Sequence, residues 1–367
     1  MKRVGVLWDS ICTFENALDA YGKARAGKRY RHEVIEFEQN REENLFRISS
    51  QLRDMTYAPG RYKVFKIFEP KERTIMALPF RDRVAQHMIC NYIEPVYEKR
   101  FYEHSYACRA NKGVHEASST LQRWIYNLEA IEGKKIYALK CDIHHYFQSV
   151  DHEILKAENR RYFKDKYLLE TLDLIIDHNG TFIPGKGIPV GNLTSQLFAN
   201  VYLNVLDDYT KHELGCKYYI RYMDDFIILS ESVDELREIW RKIEAFIGER
   251  LLLSLNPKTT IVAAKNGVDF VGYRHYSRTK KIRKAAMRRM RKLLRQFEAD
   301  DIGYDEFCES FQSRTSSMGH ADAYSLIDHY VKEADRINGE EIRWTATTLK
   351  IVRSLSSQES LEILQTE

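Results

Sequence analysis

From Tyr62 to Phe68, apolar and basic residues alternate, the period of a strand with one wet, positive face. Tyr57-Ala58-Pro59-Gly60 marks a turn before it. Glu69-Pro70-Lys71-Glu72-Arg73 reads as a hairpin turn, with Thr74 to Leu78 as the return strand. The spacing then predicts helices from Arg81 to about Tyr97 and from Gly113 to about Asn127. Ile136 to Asp142 is an apolar run that ends on an acid, the mark of a buried strand. Helical pattern resumes at Asp151, Gly180 to Pro189 is a loop, and Thr194 to about Leu214 is a long helix. Tyr218 to Leu229 reads as strand, tight acidic turn, strand. Val233 to Arg250 is helical, Leu251 to Leu255 a strand, and Val268 to Tyr276 a short β segment. From Ala285 onward the pattern is helical, with turns near Gly303, Gly319 and Gly339. The first stretch, to about Arg53, mixes helical periodicity with a basic loop, Lys23 to Arg29. The order is α+β followed by a helical C-terminal lobe.

The chain has 367 residues, 44% hydrophobic and 30% charged, enough for two or three lobes of an ordinary globular protein. No apolar run approaches the roughly 18 to 20 residues that span a bilayer, and no signal-peptide pattern opens the chain, so a cytoplasmic location without membrane contact is expected. The six cysteines are scattered, with no C-x-x-C pair, which argues against structural zinc and a disulfide framework. Net charge is only +4, but ten Lys or Arg residues and no acid lie between Arg278 and Phe297. Such a run is either a polyanion-binding stripe or a solvated face.

Asp142 ends one apolar strand, and Asp224-Asp225 sits at a hairpin tip about 80 residues later. Acids on strongly apolar strands repel one another unless a cation joins them. Two magnesium ions roughly 4 Å apart would do so while activating a 3′-hydroxyl and stabilising a leaving pyrophosphate. An isolated Asp-Asp pair would be read as a turn. Its neighbours change that reading.

Tyr222-Met223-Asp224-Asp225 resembles the palm hairpin of reverse transcriptases. Asp142-Ile143-His144-His145-Tyr146-Phe147 resembles their first catalytic motif, Gly187 to Ser195 the loop-to-helix motif, and Val268 to Tyr273 the primer grip. The four occur in the family's order, and the resemblance covers about Tyr62 to Tyr276. It implies a right-hand polymerase fold, with an N-terminal segment and fingers over 1–135, a palm over 136–277 containing inserted fingers helices at about 152–185, a helical thumb over 278–336, and a helical tail over 337–367.

The same resemblance implies that Asp142 and Asp224 bind both magnesium ions, with Asp225 more peripheral and the Ile143 carbonyl as a further ligand. Phe147 matches the steric gate that excludes a 2′-hydroxyl, or is a core aromatic. Lys71 and Arg73 match the fingers cations on the incoming dNTP triphosphate. Val190, Gly191 and Gln196 fall at the nucleotide pocket. Arg81 either orients template or fingers or makes a structural salt bridge. Lys258 either protonates pyrophosphate or is an ordinary surface lysine.

Val190-Gly191 stands where many relatives have Gln-Gly, and Ser195-Gln196 where many have Ser-Pro. With Pro70-Lys71-Glu72-Arg73, Phe80-Arg81-Asp82-Arg83-Val84 and Ser313 to Tyr324, these resemble the reverse transcriptases of diversity-generating retroelements. That implies error-prone copying of a template RNA into cDNA, with a small helical accessory protein. Antiviral-defence reverse transcriptases share much of the core and stay open as the alternative. An RNA-dependent RNA polymerase and a silent RNA-binding scaffold are the rivals from other classes. Phe147 opposes the first, and the retained acids oppose the second. In the thumb, which starts from Ala285, the residues Met287, Met290, Leu294 and Phe297 form an apolar stripe, with Arg288, Arg291, Lys292 and Arg295 on another face for the template–primer backbone. The tail from Gly339 reads as helical and either caps the thumb or binds a partner.

Overall fold

Among the described residues, helices and short strands run up to Ile282, and helices follow from Lys284 to Asn338. The computed structural model describes residues 2–68, 72–178, 180, 183–340, 342 and 344. They divide into two units. The first comprises Met1–Asn111, Lys140–Ile228 and Asp234–Thr260; the second comprises Lys112–Leu139, Leu229–Val233 and Ile261–Glu367.

In the first unit, helices Phe14–Arg25, His32–Gln39, Arg41–Arg53 and Phe80–Glu98 pack together. Lys23 to Arg25 closes the first of these helices, so the basic loop is shorter than expected and begins after Arg25. Strands β1 (Lys63–Ile67) and β2 (Arg73–Ala77) pair antiparallel, Ile67 opposite Arg73. The expected single wet face is not found on β1. Val64 and Phe65 are exposed along with Lys63 and Lys66, as follows when a two-stranded ribbon has no layer packed over it.

Strand β3 (Tyr137–Asp142) lies between β5 (Asp225–Ser230) and β6 (Thr260–Ala263), and β4 (Tyr218–Tyr222) pairs with β5 at the sheet's edge, in the order β4-β5-β3-β6. The apolar residues of these strands explain their central place: Ala138, Leu139 and Cys141 on β3 and Phe226 to Leu229 on β5 are buried. Helix Leu193–Asp208 is buried nearly all round, consistent with its apolar composition. A π-helical turn, Tyr209–Glu213, extends it. Leu251 to Leu255 is not a strand. Leu252 has φ 50°, which breaks an extended run, and only Leu255 bridges a neighbour, Ile143.

In the second unit, β7 (Val268–Phe270), β8 (Tyr273–His275) and β9 (Lys280–Ile282) form an antiparallel sheet. Strands β6 and β9 are additions to the sequence expectation. Helices Lys284–Glu298, Tyr304–Met318 and Tyr324–Asn338 follow, with Met290, Leu293, Leu294, Phe307, Phe311 and Ile327 in their core. Leu293 joins the apolar stripe. Ile342 and Trp344 are buried, the Trp344 ring 4.6 Å from that of Phe311. Most of the tail expected to be helical, including 345–367, lies outside the described residues. No helix among the described residues is long and apolar enough to cross a membrane.

Candidate active site

Strand β3 delivers Asp142 to the end of the sheet where β4 turns into β5. The turn holds Met223 and Asp224. Met223 has φ 57°, the left-handed region that the first residue of a tight hairpin turn requires. The Ile143 amide donates to the Asp224 carbonyl at 3.3 Å, so the main chain itself sets the two acidic segments side by side. Asp142, Asp224 and Asp225 are all half-buried.

Sequence reasoning missed Asn256. Its Nδ2 donates to Asp142 Oδ2 at 2.8 Å, and its backbone amide donates to the Asp142 carbonyl at 2.7 Å. Its Oδ1 accepts from the Lys258 amide at 3.0 Å, which closes the turn through Pro257. Lys258 itself is exposed. The only signal in the sequence was the Asn-Pro turn.

Phe147 begins a second set of contacts. Its ring is half-buried and meets Tyr146 edge-on at 5.6 Å. Tyr146 is buried, its hydroxyl donating to the Ala199 carbonyl at 2.6 Å. The Ile188 amide donates to the Phe147 carbonyl at 2.8 Å, and the Gly187 amide to that of Val150 at 2.7 Å. The Met76 amide of β2 donates to the Val190 carbonyl at 3.0 Å. Gly191 has φ 120°, and a Cβ there would lie 3.0 Å from Ile75 Cγ2, so this approach to β2 requires glycine. Segment Gly187 to Gly191 thus joins the Phe147 region to the β1–β2 hairpin.

Arg73 is exposed at the start of β2, and Gln196 is exposed in the first turn of helix Leu193–Asp208. Lys71 lies outside the described residues. Arg81 donates to Gln51 Oε1 at 3.0 Å and the Ala58 carbonyl at 3.3 Å, and lies 5.3 Å from the Tyr57 ring. Its contact with Asp82 is 4.0 Å. In the second unit, Arg288, Arg291, Lys292 and Arg295 are exposed on one face of helix Lys284–Glu298.

The three acids supply only hard oxygen donors, the set magnesium takes. Among the described residues no three His, Cys, Asp or Glu side chains are gathered as a metal-holding cluster. Asp142 Oδ2 accepts from Asn256 Nδ2. The donors fit magnesium in kind.

A family model described as reverse transcriptase (RNA-dependent DNA polymerase) matches residues 68–275, more than half the chain. The chain belongs to the reverse transcriptase family. Membership brings the right-hand polymerase fold, with which this mixture of sheet and helices agrees. This reverse transcriptase is 27% identical over 236 residues to protein YkfC of Escherichia coli K12, covering 53% of this chain and 60% of that protein. It is 26% identical over 179 residues to the group II intron-encoded protein LtrA of Lactococcus lactis, covering 46% and 28% respectively. The chain therefore spans less than two thirds of the length of these relatives. Among solved structures, telomerase from Candida albicans in complex with a fragment of telomeric RNA aligns with TM-score 0.47 and 13% identity, over 84% of this chain and 64% of that one.

Proposed function

We propose that this reverse transcriptase is a divalent-metal-dependent, RNA-directed DNA polymerase. The observation that carries the reading is the Ile143–Asp224 contact, which sets acids from distant parts of the sequence at one end of the sheet. Asp142 and Asp224 would hold two magnesium ions, with Asp225 more peripheral and the Ile143 carbonyl as an added ligand. When bound, the ions activate the primer 3′-hydroxyl and neutralise charge on the leaving pyrophosphate.

The chain's own residues then have separate tasks. Asn256 orients the Asp142 carboxylate. The Phe147 ring closes the space beneath the sugar and so selects dNTPs. Arg73 and Lys71 bind the triphosphate, while Val190, Gly191 and Gln196 border the nascent pair. Lys258 stands on the Asn256 turn as a proton donor to pyrophosphate. In the thumb, which we assign to 278–336, Arg288, Arg291, Lys292 and Arg295 hold the backbone of template RNA and nascent cDNA without reading sequence. Fingers over 1–135, palm over 136–277 and a tail over 337–367 complete the assignment. Primer extension on an RNA template with magnesium, comparing dNTPs with NTPs, tests the activity. Preferential use of NTPs would replace it with an RNA polymerase.

We further propose that synthesis is error-prone, in a diversity-generating retroelement with a small helical accessory protein. Val190 supports this: an apolar side chain cannot make the bonds a glutamine amide would make at the nascent pair. A bidentate contact gives about 1 to 3 kcal/mol of discrimination, roughly a five- to 150-fold change in error ratio. Sequencing cDNA from a defined RNA should show frequent errors, concentrated opposite template adenine and reduced by Val190→Gln. Low error in the wild type would favour an antiviral-defence role with the same chemistry.

A further inference from the structure

The polymerase reading leaves a fully buried ion pair, Arg221 with Asp207, without a task. Arg221, on β4, is 0% exposed, as is Asp207 on helix Leu193–Asp208. Arg221 Nε donates to Asp207 Oδ1 at 2.7 Å, and Nη2 donates to Oδ2, a bidentate fork. Nη1 donates to Asn200 Oδ1 at 3.2 Å and to the Met223 carbonyl at 3.0 Å. The Tyr219 hydroxyl adds a bond to Asp207 Oδ1 at 2.6 Å. The Arg221 main chain is fixed as well: its amide donates to the His104 carbonyl at 2.9 Å, and its carbonyl accepts from the Tyr106 amide at 3.0 Å. Burial alone would lower the Arg221 pKa, but the facing Asp207 carboxylate more than reverses this and raises it. The side chain stays charged.

A buried ion pair is poor evidence of a stabilising role, because apolar side chains of similar size hold a fold as well or better. The useful question is what Arg221 does that an apolar residue could not. It donates to the carbonyl of Met223, the residue whose φ of 57° makes the turn. That carbonyl belongs to the peptide group linking Met223 to Asp224. Fixing it fixes the peptide plane from which the Asp224 backbone departs, and the Asp224 carbonyl in turn receives the Ile143 amide.

We propose that Arg221 is a positioning residue for the metal-binding acids: anchored by Asp207 and Asn200, it clamps the Met223–Asp224 peptide and keeps the strained turn in the setting that carries Asp224 beside Ile143. This rests on the polymerase reading. A double variant, Arg221→Met with Asp207→Leu, separates the role from simple stability, since it removes both charges and the clamp together. It should melt within about 5 °C of the wild type. Its kcat should fall about ten-fold or more, with a raised magnesium requirement and little change in KM for template–primer. Hydrogen exchange should quicken in the peptide spanning 218–228. Arg221→Lys is the second variant: it keeps the charge facing Asp207 but lacks the planar fork needed to hold Asp207, Asn200 and Met223 at once, and it should share these changes. Either folded variant with wild-type kcat, magnesium requirement and hairpin exchange would overturn the proposal. So would activity that falls only in proportion to the folded fraction. A wild type that copies no template would overturn the polymerase reading alone, and hairpin exchange in the two variants would then decide the role of Arg221.

Discussion

Replacing Asn256 by alanine removes a side-chain amide that donates to Asp142, at 2.8 Å, and leaves the backbone bond between the same residues in place. A hydrogen bond to a charged group contributes about 1.5 to 3 kcal/mol. Both residues are half-buried, so solvent competes and the lower part of that range applies. If about 1.5 to 2 kcal/mol of orientation is lost in the transition state, kcat falls roughly 10- to 30-fold. The melting temperature should move by only about 3 °C, because the Asp142–Asn256 and Asn256–Thr259 main-chain bonds remain. Asn256→Asp serves as the companion. It keeps an oxygen to accept from the Lys258 amide but places another oxygen against the Asp142 carboxylate. Like charges about 4 Å apart at an effective dielectric near 20 repel by about 4 kcal/mol, so at limiting magnesium this variant should be at least as slow as the alanine. Single-turnover primer extension with a magnesium titration measures both. Asn256→Ala within two-fold of wild type at every magnesium concentration would refute the orienting role.

Three further outcomes follow from the same site. Asp224→Asn should abolish synthesis while leaving the melting temperature and RNA binding near wild type; residual polymerisation above about one per cent would count against the two-ion assignment. Phe147→Ala should raise ribonucleotide incorporation, and an unchanged dNTP preference in steady-state kinetics would remove the gate. Neutralising Arg288, Arg291, Lys292 and Arg295 together should weaken template–primer binding at any sequence. It should also flatten the salt dependence by about one unit or slightly less per lost phosphate contact, and a wild-type slope would leave the stripe a solvated face.

The parts legible in the sequence were those whose signal is local. The short apolar runs ending in Asp142 and flanking Asp224-Asp225 have the length and composition of buried strands, and the strands are there. The 3.6-residue spacing of Met290, Leu294 and Phe297 likewise marks a helix face. Local signals fail where a tertiary contact decides. Leu251 to Leu255 has the composition of a strand, but Leu251 and Leu253 both send their amides to the Ile247 carbonyl, which curls the segment back on the preceding helix. Asn256 lies 114 residues from the carboxylate it serves, so nothing near it in sequence points to that role. Arg221 is a charged residue in an otherwise apolar strand, and its partner Asp207 lies 14 residues earlier on a helix, so the strand's own pattern does not show what holds it inside.

The loop from Gly187 to Gly191 shows why Val190 can be tested as a side chain rather than as a piece of scaffold. Its placement is set mainly by main-chain groups, with the His152 ring on the Gly187 carbonyl: Gly187 and Ile188 donate to Val150 and Phe147, and the Val190 carbonyl accepts from Met76. None of these bonds uses the Val190 side chain, which is half-buried. A glutamine at 190 therefore keeps every bond that locates the loop and adds only an amide. Position 191 behaves in the opposite way. With φ at 120° and Ile75 3.0 Å from where a Cβ would stand, any side chain at Gly191 strains the backbone and presses on β2. Such a change would move the loop, the β1–β2 hairpin and the Phe147 carbonyl contact together. A fidelity change at 190 without loss of rate would then be a matter of hydrogen-bond chemistry at the nascent pair. A change at 191 would report on loop position, and the two effects should be separable in one sequencing experiment.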